Sequence, residues 1–135
     1  MRNLVLVLRL VLGIMFLVYG LNGLLHFFHT AQPTGDALTW FGIMIGHHWM
    51  NFVAVLQLVA GLLLVVGRFV PLALALLAPV IVNILLYHAL LWPHGYIPAL
   101  IVSALELILL VLYWRSFAPL FVPNPEPKRP SATNL

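Results

Sequence analysis

Residues 60–91 read AGLLLVVGRFVPLALALLAPVIVNILLYHALL, two apolar runs separated by a short turn. Gly67 follows the first run and Pro71 lies just inside the second, and helices favour glycine past their ends and proline in their first turn. Between residues 60 and 82 the only charged side chain is that of Arg68. The pattern predicts a tight hairpin of two apolar helices, with a kink where Pro79 removes a backbone hydrogen bond.

Four apolar runs occur along the chain, and each is near the ~20 residues that cross a ~30 Å hydrocarbon core. They cover residues 4–25, 48–66, 70–91 and 97–114. The chain is 64% hydrophobic and 7% charged, which leaves too few polar residues to cover a water-soluble domain of 135 residues. We therefore predict an all-α membrane protein built as a bundle of four transmembrane helices.

Basic residues and histidines separate to opposite ends of this bundle. The Lys and Arg residues fall at or near one face: Arg2, Arg9, Arg68, Arg115, Lys128 and Arg129. The histidines fall on or near the other: His26, His29, His47, His48, His88 and His94. Because loops rich in Lys and Arg stay on the cytoplasmic side, both termini of this multi-pass protein are predicted to be cytoplasmic. The expected location is the bacterial plasma (inner) membrane. This topology accounts for the net charge of +3, so the expected partner is the lipid bilayer and not a nucleic acid.

Two segments lie outside the spans. The first connection, residues 26–48, is long for a four-helix bundle, and Asp36 as N-cap and Gly46 as stop predict a short interfacial helix over 36–45. Five of the ten prolines lie from Pro119 onward. We predict a transmembrane domain over 1–118 and a proline-rich, disordered cytoplasmic tail over 119–135.

Glu106 is the only carboxylate within a predicted span. A charge at the bilayer centre costs ~2.5–3.5 kcal/mol even on the lenient insertion scale, so Glu106 should face the bundle interior and have a partner. One interpretation is a structural ion pair with Arg9 that joins the first and last spans. The other is a carboxyl group that accepts protons or binds a ligand. The two interpretations can coexist.

Neutral amides on three spans suggest a polar pocket open to the outer face. Its candidate residues are Asn22, His26, Gln57, Asn83, Tyr87, His88 and Glu106. Hydrogen-bond donors, apolar walls and titratable groups together suit a quinone head group. The alternative is that the amides only form hydrogen bonds between helices.

Metal and haem chemistry have weaker support. No cysteine occurs, which excludes thiolate metal sites and iron–sulfur clusters within the chain. His26 and His88 on different spans could make a bis-imidazole pair. The pairs His26 with His29 and His47 with His48 could bind zinc or copper. No recognised metal-binding spacing appears, so we predict no metal site.

The chain resembles the DoxX family of membrane proteins over residues 5–121. The resemblance rests on Arg9, on GLNGLLHFF at 20–28, on the stretch at 60–91 quoted above and on LELILLVLYWRSFAPLF at 105–121. Gly23 stands where a Lys often follows the Asn, and Gln57 stands where a Glu is common. The family implies a four-helix membrane protein related to the small DoxD-type subunit of a thiosulfate:quinone oxidoreductase.

Three functional hypotheses follow. The first is an accessory subunit of a quinone-linked oxidoreductase, with a soluble or membrane partner that supplies electrons. The second is a non-enzymatic scaffold, assembly factor or carrier of lipids or small molecules. The third is a metal- or haem-containing enzyme. Small-residue faces on the first and last spans would also allow a homodimer.

Overall fold

The computed structural model describes residues 1–29 and 31–127 and, within these ranges, contains helices but no strand. The helices are α1 (Arg2–Leu25), α2 (Gly35–Gly46), α3 (Trp49–Val66), α4 (Val70–Leu90), α5 (Ile97–Leu112) and α6 (Trp114–Phe117). A single 3-10 turn, Ala118–Phe121, follows α6. The all-α class is therefore confirmed.

Four of these helices form a closed ring. The α1 helix packs on α3, α3 on α4, α4 on α5, and α5 packs back on α1. Successive members of the ring run in opposite directions because short connections join α3 to α4 and α4 to α5. The centre of the ring is filled by fully buried side chains, of which the largest are Phe16, Leu12, Leu64, Leu74, Leu77 and Leu109.

Glycines bring α1 and α3 into close contact. A Cβ atom added to Gly20 would lie 2.9 Å from the carbonyl oxygen of Ala54, and one added to Gly23 would lie 3.0 Å from the Ala54 Cβ. Small residues let helix backbones approach closely, which is a common way for membrane helices to associate. The α1–α3 pair is accordingly the most extensive helix contact in the bundle.

The outer surface of the ring is apolar. The α1, α3 and α4 helices are each long and apolar enough to cross a membrane. A fourth span is present if α5 and the segment Trp114–Phe121 count as one, although the chain bends by 76° between them. Many large hydrophobic side chains on these helices are exposed, including Leu62, Leu72 and Leu107. This is the surface expected of helices that face lipid.

The ring has two chemically different ends. We call the end with the start of α1, the α3–α4 turn and α6 the basic end, because it carries Arg2, Arg68 and Arg115. The opposite end holds the chain between α1 and α3 and the turn between α4 and α5. We call it the histidine end, because it carries His26, His29, His47, His48 and His94.

Two sequence-based details, the N-cap of α2 and the end of the last span, differ from the structure. The N-cap of α2 is Thr34, and Asp36 lies inside the first turn. The last span was predicted to reach residue 114 but α5 ends at Leu112, since apolar composition continues through the bend and hides it. The domain boundary predicted at residue 119 falls inside the 3-10 turn. Residues 128–135 of the predicted tail lie outside the described residues.

Candidate functional site at the histidine end

An aromatic cluster joins α2 to α4 at the histidine end. The ring of Tyr87 lies 5.2 Å from that of Trp40 and 5.1 Å from that of Phe41, measured between centroids. Trp40 and Phe41 are themselves in edge-to-face contact at 5.1 Å. Such geometries are the ones aromatic rings favour. The short helix α2 is therefore held over the end of α4.

A cavity of about 230 Å³ lies beneath this cluster. It is lined by Trp40, Asn83, Leu86, Tyr87, Leu90 and Leu91. Asn83 and Tyr87 are one helical turn apart, so their side chains lie on the same face of α4. The amide and the phenol are the polar groups of an otherwise apolar wall. Apolar and aromatic walls with a few polar groups are typical of small-molecule sites.

His88 lies next to the cavity, and its side chain is hydrogen-bonded to the backbone just after the end of α4. Its Nδ1 is 3.0 Å from the carbonyl oxygen of Trp92. A carbonyl oxygen can only accept, so Nδ1 is the donor of this hydrogen bond. The His88 ring is 5.2 Å from that of Tyr87, but His88 is not among the lining residues.

Asn22 and His26 shape the end of α1. The Asn22 Oδ1 accepts a hydrogen bond of 2.9 Å from the Phe28 N–H. His26 caps the helix in the left-handed region at φ 53°, and its N–H donates to the Asn22 carbonyl at 2.9 Å. The Asn22 side-chain oxygen is thus occupied by the turn, and the His26 side chain is exposed. Neither residue lines the cavity under α2.

Glu106 is buried within the bundle on α5, with 3% of its surface exposed. Neither carboxyl oxygen has a hydrogen-bond partner among the described residues. Gln57, on α3, is half-buried. Neither side chain lines the cavity at the histidine end. Of the predicted pocket residues, the structure therefore brings together Asn83 and Tyr87, with His88 beside them.

The Arg9 guanidinium lies against the α3–α4 turn. A Cβ atom added to Gly67 would be 2.7 Å from the Cζ and both Nη atoms of Arg9. The Arg9 Nε is buried and, within residues 1–29 and 31–127, has no hydrogen-bond partner. The predicted ion pair between Arg9 and Glu106 is thus not seen as a hydrogen-bonded contact, because the Arg9 side chain extends to Gly67.

The described part of the chain contains no cluster of side chains suited to bind a metal ion. No group of three or more His, Asp or Glu side chains there is close enough to hold a metal ion. His47 and His48 are both exposed, and the ring of His94 lies 4.7 Å from that of Trp92.

Sequence reasoning missed four lining residues of the cavity. They are Trp40, Leu86, Leu90 and Leu91. The spacing of Asn83, Leu86, Tyr87 and Leu90 is that of one helix face, so the three α4 residues after Asn83 could have been grouped. Trp40 lies within the short helix predicted over 36–45, but its contact with Tyr87 depends on how that helix folds back over α4.

The apolar four-helix ring, its membrane-length helices and its two polar ends define a multi-pass α-helical membrane protein. The model of the DoxX family matches residues 4–95, and the chain belongs to this family. The matched region covers α1 to α4 and ends before α5, which carries Glu106. No curated protein and no solved structure matches the chain.

Proposed function

We propose that this protein is a small membrane subunit of a quinone-linked oxidoreductase and that it holds a quinone head group at the histidine end. The observation that carries the proposal is the cavity between α2 and α4, with the Asn83 amide and the Tyr87 hydroxyl in apolar walls. The proposal includes a four-span topology in the bacterial inner membrane. In this topology the basic end is cytoplasmic, as the positive-inside rule favours.

The cavity lining suits both the polar head group and the apolar tail of a quinone. Asn83 and Tyr87 can each donate a hydrogen bond to a quinone carbonyl, and the Trp40 ring supplies a flat apolar wall. Leu86 and Leu90 are exposed on the lipid-facing side of the same lining. An isoprenoid tail can therefore remain in the bilayer while the head group enters beneath α2.

Reduction of the bound quinone would take its protons and its electrons from different sources. The His88 imidazole lies beside Tyr87 and is suited to proton exchange with the bound head group. Asn22, His26, Gln57 and Glu106 lie outside the cavity lining and in this proposal support the bundle around it. The sequence contains no redox-cofactor motif, so in this proposal electrons reach the quinone from a partner protein that carries its own redox group.

Quinone affinity in detergent tests the proposal. Asn83→Leu and Tyr87→Phe each remove one donor, and each should weaken binding about threefold to tenfold. Asn51→Leu and Tyr96→Phe are matched controls, because both residues are exposed and neither lines the cavity. Equal affinity in the wild type and in all four variants would refute quinone binding at this cavity.

A second candidate function is a non-enzymatic scaffold or carrier. It is favoured by the way several polar groups are used within the chain: the Asn22 side chain, His88 Nδ1 and Ser103 Oγ all bond to nearby backbone atoms. Native mass spectrometry of gently solubilised protein separates the two functions. A bound quinone mass supports the first, and a protein complex or homodimer without quinone supports the second.

A further inference from the structure

A second, larger cavity opens at the basic end. It has a volume of about 740 Å³ and is lined by Met1, Arg2, Asn3, Val5, Leu6, Arg9, Leu112 and Tyr113. Arg2, Val5, Leu6 and Arg9 follow one face of α1, and Leu112 with Tyr113 forms the facing wall where α5 ends. The cavity is distinct from the proposed quinone site, which lies at the opposite end of the ring.

The charged side chains that line this cavity are all positive. Arg2 and Arg9 line it, and no carboxylate is among the lining residues. The first turn of α1 contains no acidic residue, and its N-cap makes no side-chain hydrogen bond, so its free N–H groups add to the positive potential. The Arg9 Nε is buried without a hydrogen-bond partner among the described residues. These groups together favour an anion that can accept several hydrogen bonds.

The surroundings favour an anion that belongs to a lipid. Val5, Leu6 and Leu112 give the cavity an apolar side, and Leu6 is exposed on the outer surface of the ring. Just beyond, the chain bends by 76° and the rings of Trp114 and Phe121 lie 5.1 Å apart. Both rings are exposed, as expected of aromatic anchors at the membrane interface. Arg2 is thus expected at the depth of lipid head groups, with Arg9 about two helical turns further along α1.

We infer that this cavity binds the phosphate of an anionic phospholipid head group, with Arg2 and Arg9 as the ligands of the phosphate. The acyl chains of the lipid would run along Val5 and Leu6 on the outside of α1. Basic pockets between membrane helices are suited to such head groups. The inference concerns the basic end alone and does not depend on quinone binding.

Native mass spectrometry of the delipidated full chain tests the inference. The probes are phosphatidylglycerol, phosphatidylcholine and, without lipid, inorganic phosphate. The wild type should retain phosphatidylglycerol over phosphatidylcholine. Arg2→Gln and Arg9→Gln should each reduce this preference about fivefold. Arg68→Gln should leave it unchanged, because Arg68 is a basic residue of the same end that does not line the cavity.

Three results would overturn the inference. They are a wild type without preference for phosphatidylglycerol, an equal loss in Arg68→Gln, and full displacement of the lipid by millimolar phosphate. Arg2 is exposed, so Arg2→Gln should fold even if Arg9→Gln does not, and it keeps the test decisive. Unchanged quinone affinity in Arg2→Gln would show that the two sites are independent.

Discussion

Gly13 of α1 and Gly61 of α3 face each other where the two helix backbones approach most closely to one another's Cβ positions. A Cβ atom on Gly13 would lie 2.9 Å from the carbonyl oxygen of Gly61, and one on Gly61 would lie 2.8 Å from that of Gly13. The two obstacles are backbone atoms, which cannot move aside as a flexible side chain can. The separation of α1 and α3 is therefore set by the absence of side chains at these two positions.

Gly61→Ala should destabilise the bundle by about 1–3 kcal/mol, because the added methyl group overpacks the α1–α3 contact. Unfolding in a series of detergent mixtures measures the change. Gly42→Ala is the matched control, since nothing lies within 4 Å of its Cβ position in α2. There alanine should be neutral or stabilising by up to ~1 kcal/mol. Equal losses in both variants would contradict the close packing.

Asn22→Ala should loosen the chain after α1, because it removes the acceptor of the Phe28 N–H. The expected loss in stability is about 0.5–1.5 kcal/mol, and the Phe28 amide should lose protection from hydrogen exchange. Asn22→Asp keeps an acceptor oxygen and should restore the protection. If the amide exchanges at the same rate in all three proteins, the turn does not depend on Asn22.

Gly67→Ala and Gly95→Ala separate backbone strain from the position of Arg9. Both glycines have positive φ, 78° and 65°, so each alanine should cost about 1–2 kcal/mol. Nothing lies within 4 Å of a Cβ on Gly95, whereas a Cβ on Gly67 would displace the Arg9 guanidinium. Only Gly67→Ala should therefore lower the preference for phosphatidylglycerol. A similar lipid preference in both variants would show that the position of Arg9 is irrelevant to it.

Glu106→Gln should leave stability unchanged or raise it by about 1 kcal/mol, because it removes a buried acidic group that has no hydrogen-bond partner among the described residues. Glu126→Gln is the control, since Glu126 is exposed. In a double-mutant cycle with Arg9→Gln, the coupling should stay within ~0.5 kcal/mol. A loss of about 3–5 kcal/mol in Glu106→Gln would instead indicate a buried ion pair.

Apolar run length and turn chemistry predicted α1 to α4 well. The hairpin at Gly67 and Pro71 is found where it was predicted, because glycine past a helix end and proline at a helix start are local signals. The end of α5 was missed because Tyr113 and Trp114 continue the apolar pattern through the bend. Helix α4 continues past Pro79, since a proline removes one backbone hydrogen bond without ending the helix.

The candidate site was only partly predictable, because spacing along one helix is local and contacts between helices are not. Asn83 and Tyr87 share a face of α4, and both line the cavity. The use of the Asn22 oxygen by Phe28 depends on the left-handed backbone at His26, for which the sequence carries no glycine signal. The direction of the Arg9 side chain depends on the crossing of α1 over Gly67.

The short length of α5 has a consequence for the surrounding bilayer. Its 16 residues rise ~24 Å, whereas the 24 residues of α1 rise ~36 Å. In the proposed four-span topology the hydrophobic wall beside α5 is thus lower than the ~30 Å hydrocarbon core. Lipid next to α5 must thin to match it, which creates a hydrophobic mismatch on one side of the protein. That side is where a second membrane protein would relieve the most bilayer deformation.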